Sequence, residues 1–246
     1  YGDTRDLHSF PTRRSSDLGP DCRIVYAYEP ATGTLDDFQA RVDDAPAFQP
    51  ALGGGATATL KPGGPAIPAR GGRALEITRT NDTLHVFWGY EIEGKPLRIH
   101  WDFQLHGKAL VVGARCDEPL VSSFSLGEVV APLRKPINVP YLVGQVEYLP
   151  AQKVFACRYL DWTVSHASMC PQGSAAYNPQ TNGVRNPLLE RGYFTVSPHF
   201  GETLPNIPHP PSPFLATLGP NNMLDIWGHR NGSYAGDAAG LRALKD

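Results

Sequence analysis

The sequence predicts a mainly β protein, a large antiparallel β-sandwich with a single β/α unit behind it, and three observations carry that expectation. Glycine and proline number 25 and 24 of 246 residues, about a fifth against an average of roughly 12%, which cuts the chain into short segments. β-branched and aromatic runs recur at short intervals between residues 22 and 116. No helical periodicity appears before residue 235.

Residues 1 to 18 (YGDTRDLHSFPTRRSSDL) stand apart. From His8 onward they are similar to one reading frame of a common sequencing-library adapter. They are therefore expected to be a disordered artefact, with the natural N-terminus and any signal peptide outside the sequence. Arg5, Arg13 and Arg14 among serines would alternatively suit a basic targeting arm. The tail is set aside from fold reasoning. Its basic and acidic side chains cancel, so the net charge of -2 is unchanged without it. That balance draws in neither nucleic acid nor anionic membrane. No apolar run approaches the ~18 residues needed to cross a bilayer.

Seven strands are predicted before residue 120: CRIVYAYE, LDDFQARV, ATATL, ALEITRT, TLHVFWGYEI, PLRIHWDFQL and ALVVGARC. Asn81-Asp82, Glu93-Gly94-Lys95 and His106-Gly107-Lys108 are short enough to close antiparallel hairpins. Leu97, Ile99, Trp101, Phe103 and Leu105 alternate with Arg98, His100, Asp102, Gln104 and His106, which predicts one buried and one polar face. SSFSLGEVVA, PINVPYLVG and VEYL continue the sheets, and KVFACRYLDWTVSHAS predicts two strands about Asp161-Trp162. The sandwich is expected over residues 19–203.

Residues 204–220 form the next segment. Pro205, Pro208, Pro210, Pro211 and Pro213 exclude helix and central strand there and predict a stiff connector. In residues 221–246, the run NMLDIW and then Ala238, Leu241 and Leu244 at helical spacing, with Asp237 as cap, read as strand, loop and helix. A barrel or a doubly wound sheet would both begin this way. Asp246 is expected to stop in mid-helix.

Four cysteines, Cys22, Cys116, Cys157 and Cys170, lack any ligand spacing of a zinc site. No metal site or cofactor is predicted, with a structural calcium left open. A Cys157–Cys170 disulfide is conceivable in an exported protein. His100, Asp102 and His106 share the polar face of one strand, about 6.8 Å apart per two residues. They suit a metal or a sugar hydroxyl, or simply a solvated face.

Aromatic rings beside carboxylates suit carbohydrate, because sugar C–H faces stack on rings while hydroxyls bond to the carboxylates. Trp88 with Glu91, Trp101 with Asp102, and Asp161 with Trp162 have this form, although a tryptophan also fills a sandwich core. Asp225, Trp227 and His229 sit at the end of the candidate strand of the β/α unit, where barrel enzymes place their sites. Serine chemistry has no GxSxG, and the Gly53-Gly54-Gly55 and Gly63-Gly64 clusters lack the lysine and helix of a phosphate loop.

TLHVFWGYEIEGKPLRIHWDFQLHGKALVV, YNPQTNGVRNPLLERGYFTVSPHFGETLPNIPHPPSP and NMLDIWG resemble a bacterial group of glycoside hydrolases related to endo-alpha-N-acetylgalactosaminidases. The resemblance covers most of residues 22 to 246. It implies a galactose-mutarotase-like sandwich preceding a (β/α)8 catalytic barrel, with the ERGYFTVSP and LPNIPHPPSP stretches leading from one to the other. It also implies an oligo- or polysaccharide substrate, hydrolysis by paired carboxylates, and a secreted or periplasmic location. The family's nucleophile and general acid belong to later barrel strands, so no catalytic residue carries over and this chain alone is expected to be inactive. Two other readings stand beside the hydrolase: a non-catalytic carbohydrate-binding module with an exposed Trp88, Trp101 or Trp162, and a mutarotase-like epimerase using a His and a Glu in one concave pocket.

Overall fold

The computed structural model describes residues 21–61, 63–139, 145–171 and 173–205, with the backbone of 8–11. The predicted β/α unit with Asp225, Trp227 and His229, and the connector beyond Pro205, lie outside the described residues. Within them the chain is mainly β, built from antiparallel sheets in two layers.

β1 (His8–Pro11), β2 (Ile24–Tyr28) and β3 (Phe38–Val42) form a three-stranded sheet. The first comes from the adapter-like segment, and its backbone pairs with β2 from His8↔Tyr28 to Pro11↔Val25. The LDDFQARV run is only half strand, since Leu35–Asp37 form a 3-10 turn with Thr34 as cap. The Asp37 carboxylate competes for the backbone there, accepting N–H groups from Thr32 at 2.8 Å and Gly33 at 2.9 Å.

β4 (Gln49–Leu52), β5 (Gly55–Ala58) and β6 (Ile67–Pro68) precede the long meander β7 (Arg73–Thr80), β8 (Thr83–Ile92), β9 (Lys95–His106) and β10 (Ala109–Cys116). The three predicted hairpins close this meander, and Asn81, Glu93, Gly94 and Gly107 take the positive φ that tight turns require. β11 (Val121–Ser125) and β12 (Glu128–Val130) divide the predicted SSFSLGEVVA strand between two sheets. Gly127 turns the chain between them at φ 72°, and a Cβ there would lie 2.5 Å from Ala51 O and Gly54 N.

The remaining elements are β13 (Lys135–Ile137), β14 (Val146–Leu149), β15 (Val154–Leu160), β16 (Ser174–Ala176), β17 (Leu188–Ser197) and the one-turn α1 (Phe200–Thr203). One layer is the eight-stranded sheet β13-β14-β15-β17-β10-β9-β8-β7. The other comprises β1-β2-β3, β16-β11-β5-β6 and β12-β4. Two expectations are corrected here. KVFACRYLDWTVSHAS forms one strand, β15, because the Asp161 carboxylate takes the Thr163 N–H at 3.1 Å and its hydroxyl, closing a turn. ERGYFTVS does not lead out of the sandwich but lies in the middle of its largest sheet, as β17.

The core lies between the layers and follows the alternation read from β9. Leu97, Ile99, Trp101 and Phe103 are buried, and their inner face meets Tyr28, Phe38 and Phe124. Trp88 Nε1 donates to Tyr28 Oη at 3.0 Å, which satisfies the one polar atom of a ring whose burial stabilises mainly by area. All four cysteines are free, which removes the Cys157–Cys170 bridge. Cys157 is instead buried on the outer side of β15 with Val146, under Phe200 and Leu204.

Candidate functional site

The outer face of the eight-stranded sheet gathers the polar residues that the alternation sends away from the core. Three transverse rows cross it. In the first, Gln104 pairs with Val111, Val111 with Tyr193, and Tyr193 with Tyr159. The second is His85, Asp102, Gly113 and Arg191, and the third Phe87, His100, Arg115 and Leu189. Register partners point to the same side, so each row is a line of neighbouring side chains.

At one end, His85 Nδ1 and Asp102 Oδ1 lie 2.6 Å apart, with both side chains about half exposed. His100 stacks on Phe87 at 4.0 Å and 17°. With Glu76, Thr78 and Arg115 these residues line a depression of about 170 Å³. The sequence placed His100 and Asp102 correctly on one polar face; His106 is exposed beside the Gly107 turn and does not line the depression.

At the other end, Trp162 is 56% exposed and stands 5.5 Å from Tyr159 at 63°, and Tyr159 in turn lies 6.2 Å from Tyr193. Beside this aromatic group Arg191 donates Nε and Nη2 to Asp161 Oδ2 at 3.0 and 2.6 Å. Burial alone would raise the Asp161 pKa, but hydrogen bonds from Thr163 and Arg191 outweigh it and hold the carboxyl below its ordinary range. Burial pushes the Tyr159 and Tyr193 phenols up, so both are neutral hydrogen-bond donors at neutral pH.

Gly113 is the floor between the two ends. Its neighbours across the ladders are Asp102 and Arg191, and a Cβ here would come 3.3 Å from the Asp102 Cβ. The result is an open trough with a stacking platform at one end and a carboxylate-histidine pair at the other. Such a surface can lay the C–H face of a sugar on Trp162 and Tyr159 and meet its hydroxyls with Asp161, Arg191, Asp102 and His85.

The tryptophans divide sharply. Trp88 and Trp101 are each 2% exposed, and Trp101 is packed between Phe103 and Phe124, so neither is an exposed platform and Trp101 is corrected to a core residue. Tyr159, Tyr193, Arg191, His85 and Arg115 were not singled out from sequence. Asp21, His199 and Glu202 offer donor atoms within 4.8 Å of one another. Lys108 Nζ already sits there, 2.5 Å from Asp21 and 2.6 Å from Glu202, and supplies the positive charge an ion would bring. Comparison with family models, with curated proteins and with solved structures gives no match to this chain, so the site is read from its own geometry.

Proposed function

We propose that the sandwich binds a neutral oligosaccharide in the trough on the outer face of its eight-stranded sheet, as the non-catalytic glycan-binding part of a glycoside hydrolase. The observation that carries the reading is Trp162, a large ring left 56% exposed and set edge-on to Tyr159 beside the Asp161–Arg191 pair. A sugar stacked on that ring removes apolar area from water, which contributes about 1–2 kcal/mol. Acidic and basic groups alternate along the trough, and this favours uncharged hydroxyl-rich ligands over polyanions.

Titrating the whole chain with a panel of neutral and acidic oligosaccharides tests this. Saturable binding of a neutral member, weakened about 5- to 30-fold by Trp162→Ala, supports it. Binding untouched by that substitution removes the trough from the reading. The hydrolase context rests on the sequence resemblance: a mutarotase-like sandwich preceding a (β/α)8 barrel, with paired carboxylates acting in residues beyond those described. Hydrolysis of the same glycan by a longer chain, and none by this one, is its expected outcome.

One observation favours a second reading. Glu76, His85 and His100 share the 170 Å³ depression, with Asp102 bonded to His85, and a histidine oriented by a carboxylate suits proton transfer at a sugar hydroxyl. Polarimetry of freshly dissolved α-D-galactose separates the readings, since an epimerase speeds the change in rotation and a binding face does not.

A further inference from the structure

We propose a second ligand site on the opposite side of the same sheet, taking one neutral hydroxylated molecule of the size of a sugar ring. It lies where the Leu126–Gly127 crossover between β11 and β12 passes over Arg158, and it shares no residue with the outer trough. The cavity is about 540 Å³ and is lined by the glycines Gly53, Gly127 and Gly173 together with Ser125, Gln145 and Ser174. That volume is in the range of small-molecule pockets.

Two buried polar residues, Gln145 and Arg158, stand in its wall beside the partly exposed Ser125 and Ser174. Gln145 is 6% exposed, and its side-chain amide makes no hydrogen bond among the described residues, although its backbone carbonyl accepts from Arg158 N at 2.9 Å. Both amide atoms reach the open cavity, so a ligand hydroxyl can take the place of water on them. Gly173 faces that amide, and a Cβ there would lie 3.4 Å from the Gln145 Cδ and Oε1. Absence of a side chain on Gly173 therefore keeps the amide open to the cavity.

The two serines add complementary capacity. Ser125 Oγ accepts from Gly127 N at 3.0 Å and so has its own hydrogen left to donate. Ser174 Oγ donates to Pro171 O at 2.7 Å and so has lone pairs left to accept. Hydroxyl groups, which donate and accept at once, match this mixture of donors and acceptors.

The charges select against ions of either sign. Arg158 stands in the wall, bonded through Nη1 to Gly127 O and with Nη2 3.6 Å from Glu147, which disfavours a cationic ligand. Glu128 lines the mouth and repels an anion, and Arg134 lies 3.6 Å from it and 3.2 Å from Glu147, so the four charges balance. Leu52 and Leu126 supply the apolar wall against which ring C–H groups settle.

The test is backbone NMR of the whole chain with D-glucose and D-galactose as neutral probes, and D-glucuronate and D-glucosamine as charged ones. A neutral hexose at millimolar concentration is expected to shift the Gly53, Gly127 and Gly173 amides along a saturable curve. The charged analogues should bind about tenfold more weakly or worse. Gln145→Ala should abolish the shifts, Ser174→Ala should weaken them, and Trp162→Ala, which alters only the outer trough, should leave them intact. Unperturbed signals elsewhere establish that the variants remain folded. The proposal is overturned if no hexose moves those three amides, if glucuronate binds as well as glucose, or if Trp162→Ala removes the effect. The outer-trough reading fails separately, by an oligosaccharide that ignores Trp162.

Discussion

The two ends of the outer trough are assembled by different kinds of strand pairing, and that difference decides what each contributes. His85 meets Asp102 because the Glu93-Gly94 turn sets Ile92 opposite Lys95, and counting back along the same ladder reaches the pair. Tyr159 meets Tyr193, and Arg191 meets Asp161, only because β17 enters the sheet between β15 and β10, far from either in sequence. One end is a local hairpin product and the other is a product of the whole topology. The local end presents exposed polar groups joined by the His85–Asp102 contact, whereas the long-range end sets an aromatic group beside the Arg191–Asp161 pair.

The largest difference in stability is expected between the two tryptophans on opposite sides of the sheet. Trp101 lies on the inner face of β9, directly between His100 and Asp102 in sequence, and Trp162 stands over the long-range end. Trp101→Ala should cost about 3–5 kcal/mol in urea unfolding, since a fully buried ring leaves a cavity behind. Trp162→Ala should change stability by no more than about 0.5 kcal/mol. Comparable losses from both would mean that Trp162 is structural and the platform is not a surface at all.

Next in size is the brace beneath the platform. Asp161→Asn keeps the shape but removes the charge that Arg191 holds, at an expected cost of about 1 kcal/mol, the exposed guanidinium lowering it through solvent screening. The pH dependence carries the sign. Because the Asp161 pKa is depressed on folding, its contribution is present above the ordinary carboxylate range near 4 and is lost as pH falls through the folded value. Wild-type stability should therefore drop on acidification by more than that of Asp161→Asn. Parallel curves for the two proteins would show that the pair does not brace the platform.

What was legible in the sequence follows the same division. The seven early strands, their three hairpins and the alternation of Leu97 to Leu105 all depend on neighbours within about a dozen residues, where turn chemistry and period-two patterning act directly. The His85–Asp102 pair was within reach of the same logic and needed only the register counted from Glu93-Gly94. The Asp161–Trp162 pair was visible as a motif, but its tyrosine partners were not, because nothing local tells β15 that it will lie beside β17. Trp88 and Trp101 failed as platforms for a simple reason: alternation on β8 and β9 turns both rings inward. Asp161 ends a strand instead of joining two because its carboxylate finds Thr163, a side chain-to-backbone competition that hydrophobic patterning does not register.

Gly113 tests whether the two ends act as one site. Gly113→Val suits a strand by propensity and should alter stability by less than about 1 kcal/mol, yet its branched side chain would rise between Asp102 and Arg191. Oligosaccharide binding should weaken about tenfold if the ligand spans the trough. If affinity holds and only Trp162→Ala reduces it, the ligand occupies the platform alone.

The smallest expected effect separates the hairpin end from catalysis. The His85–Asp102 contact is exposed on both sides, and exposed ion pairs contribute at most about 1 kcal/mol, so His85→Ala should scarcely change unfolding. In a pure binding face it should reduce oligosaccharide affinity by about threefold or less, because one solvated hydrogen bond is exchanged for another with water. An acid/base site behaves otherwise: the histidine would carry the proton, and its loss would remove a factor of about 10² or more from the rate of galactose mutarotation while leaving affinity little changed. A rate unaffected by His85→Ala leaves the hairpin end as a hydrophilic rim whose task is orientation, and puts the affinity of the trough in the long-range end, where Trp162 and Tyr159 meet.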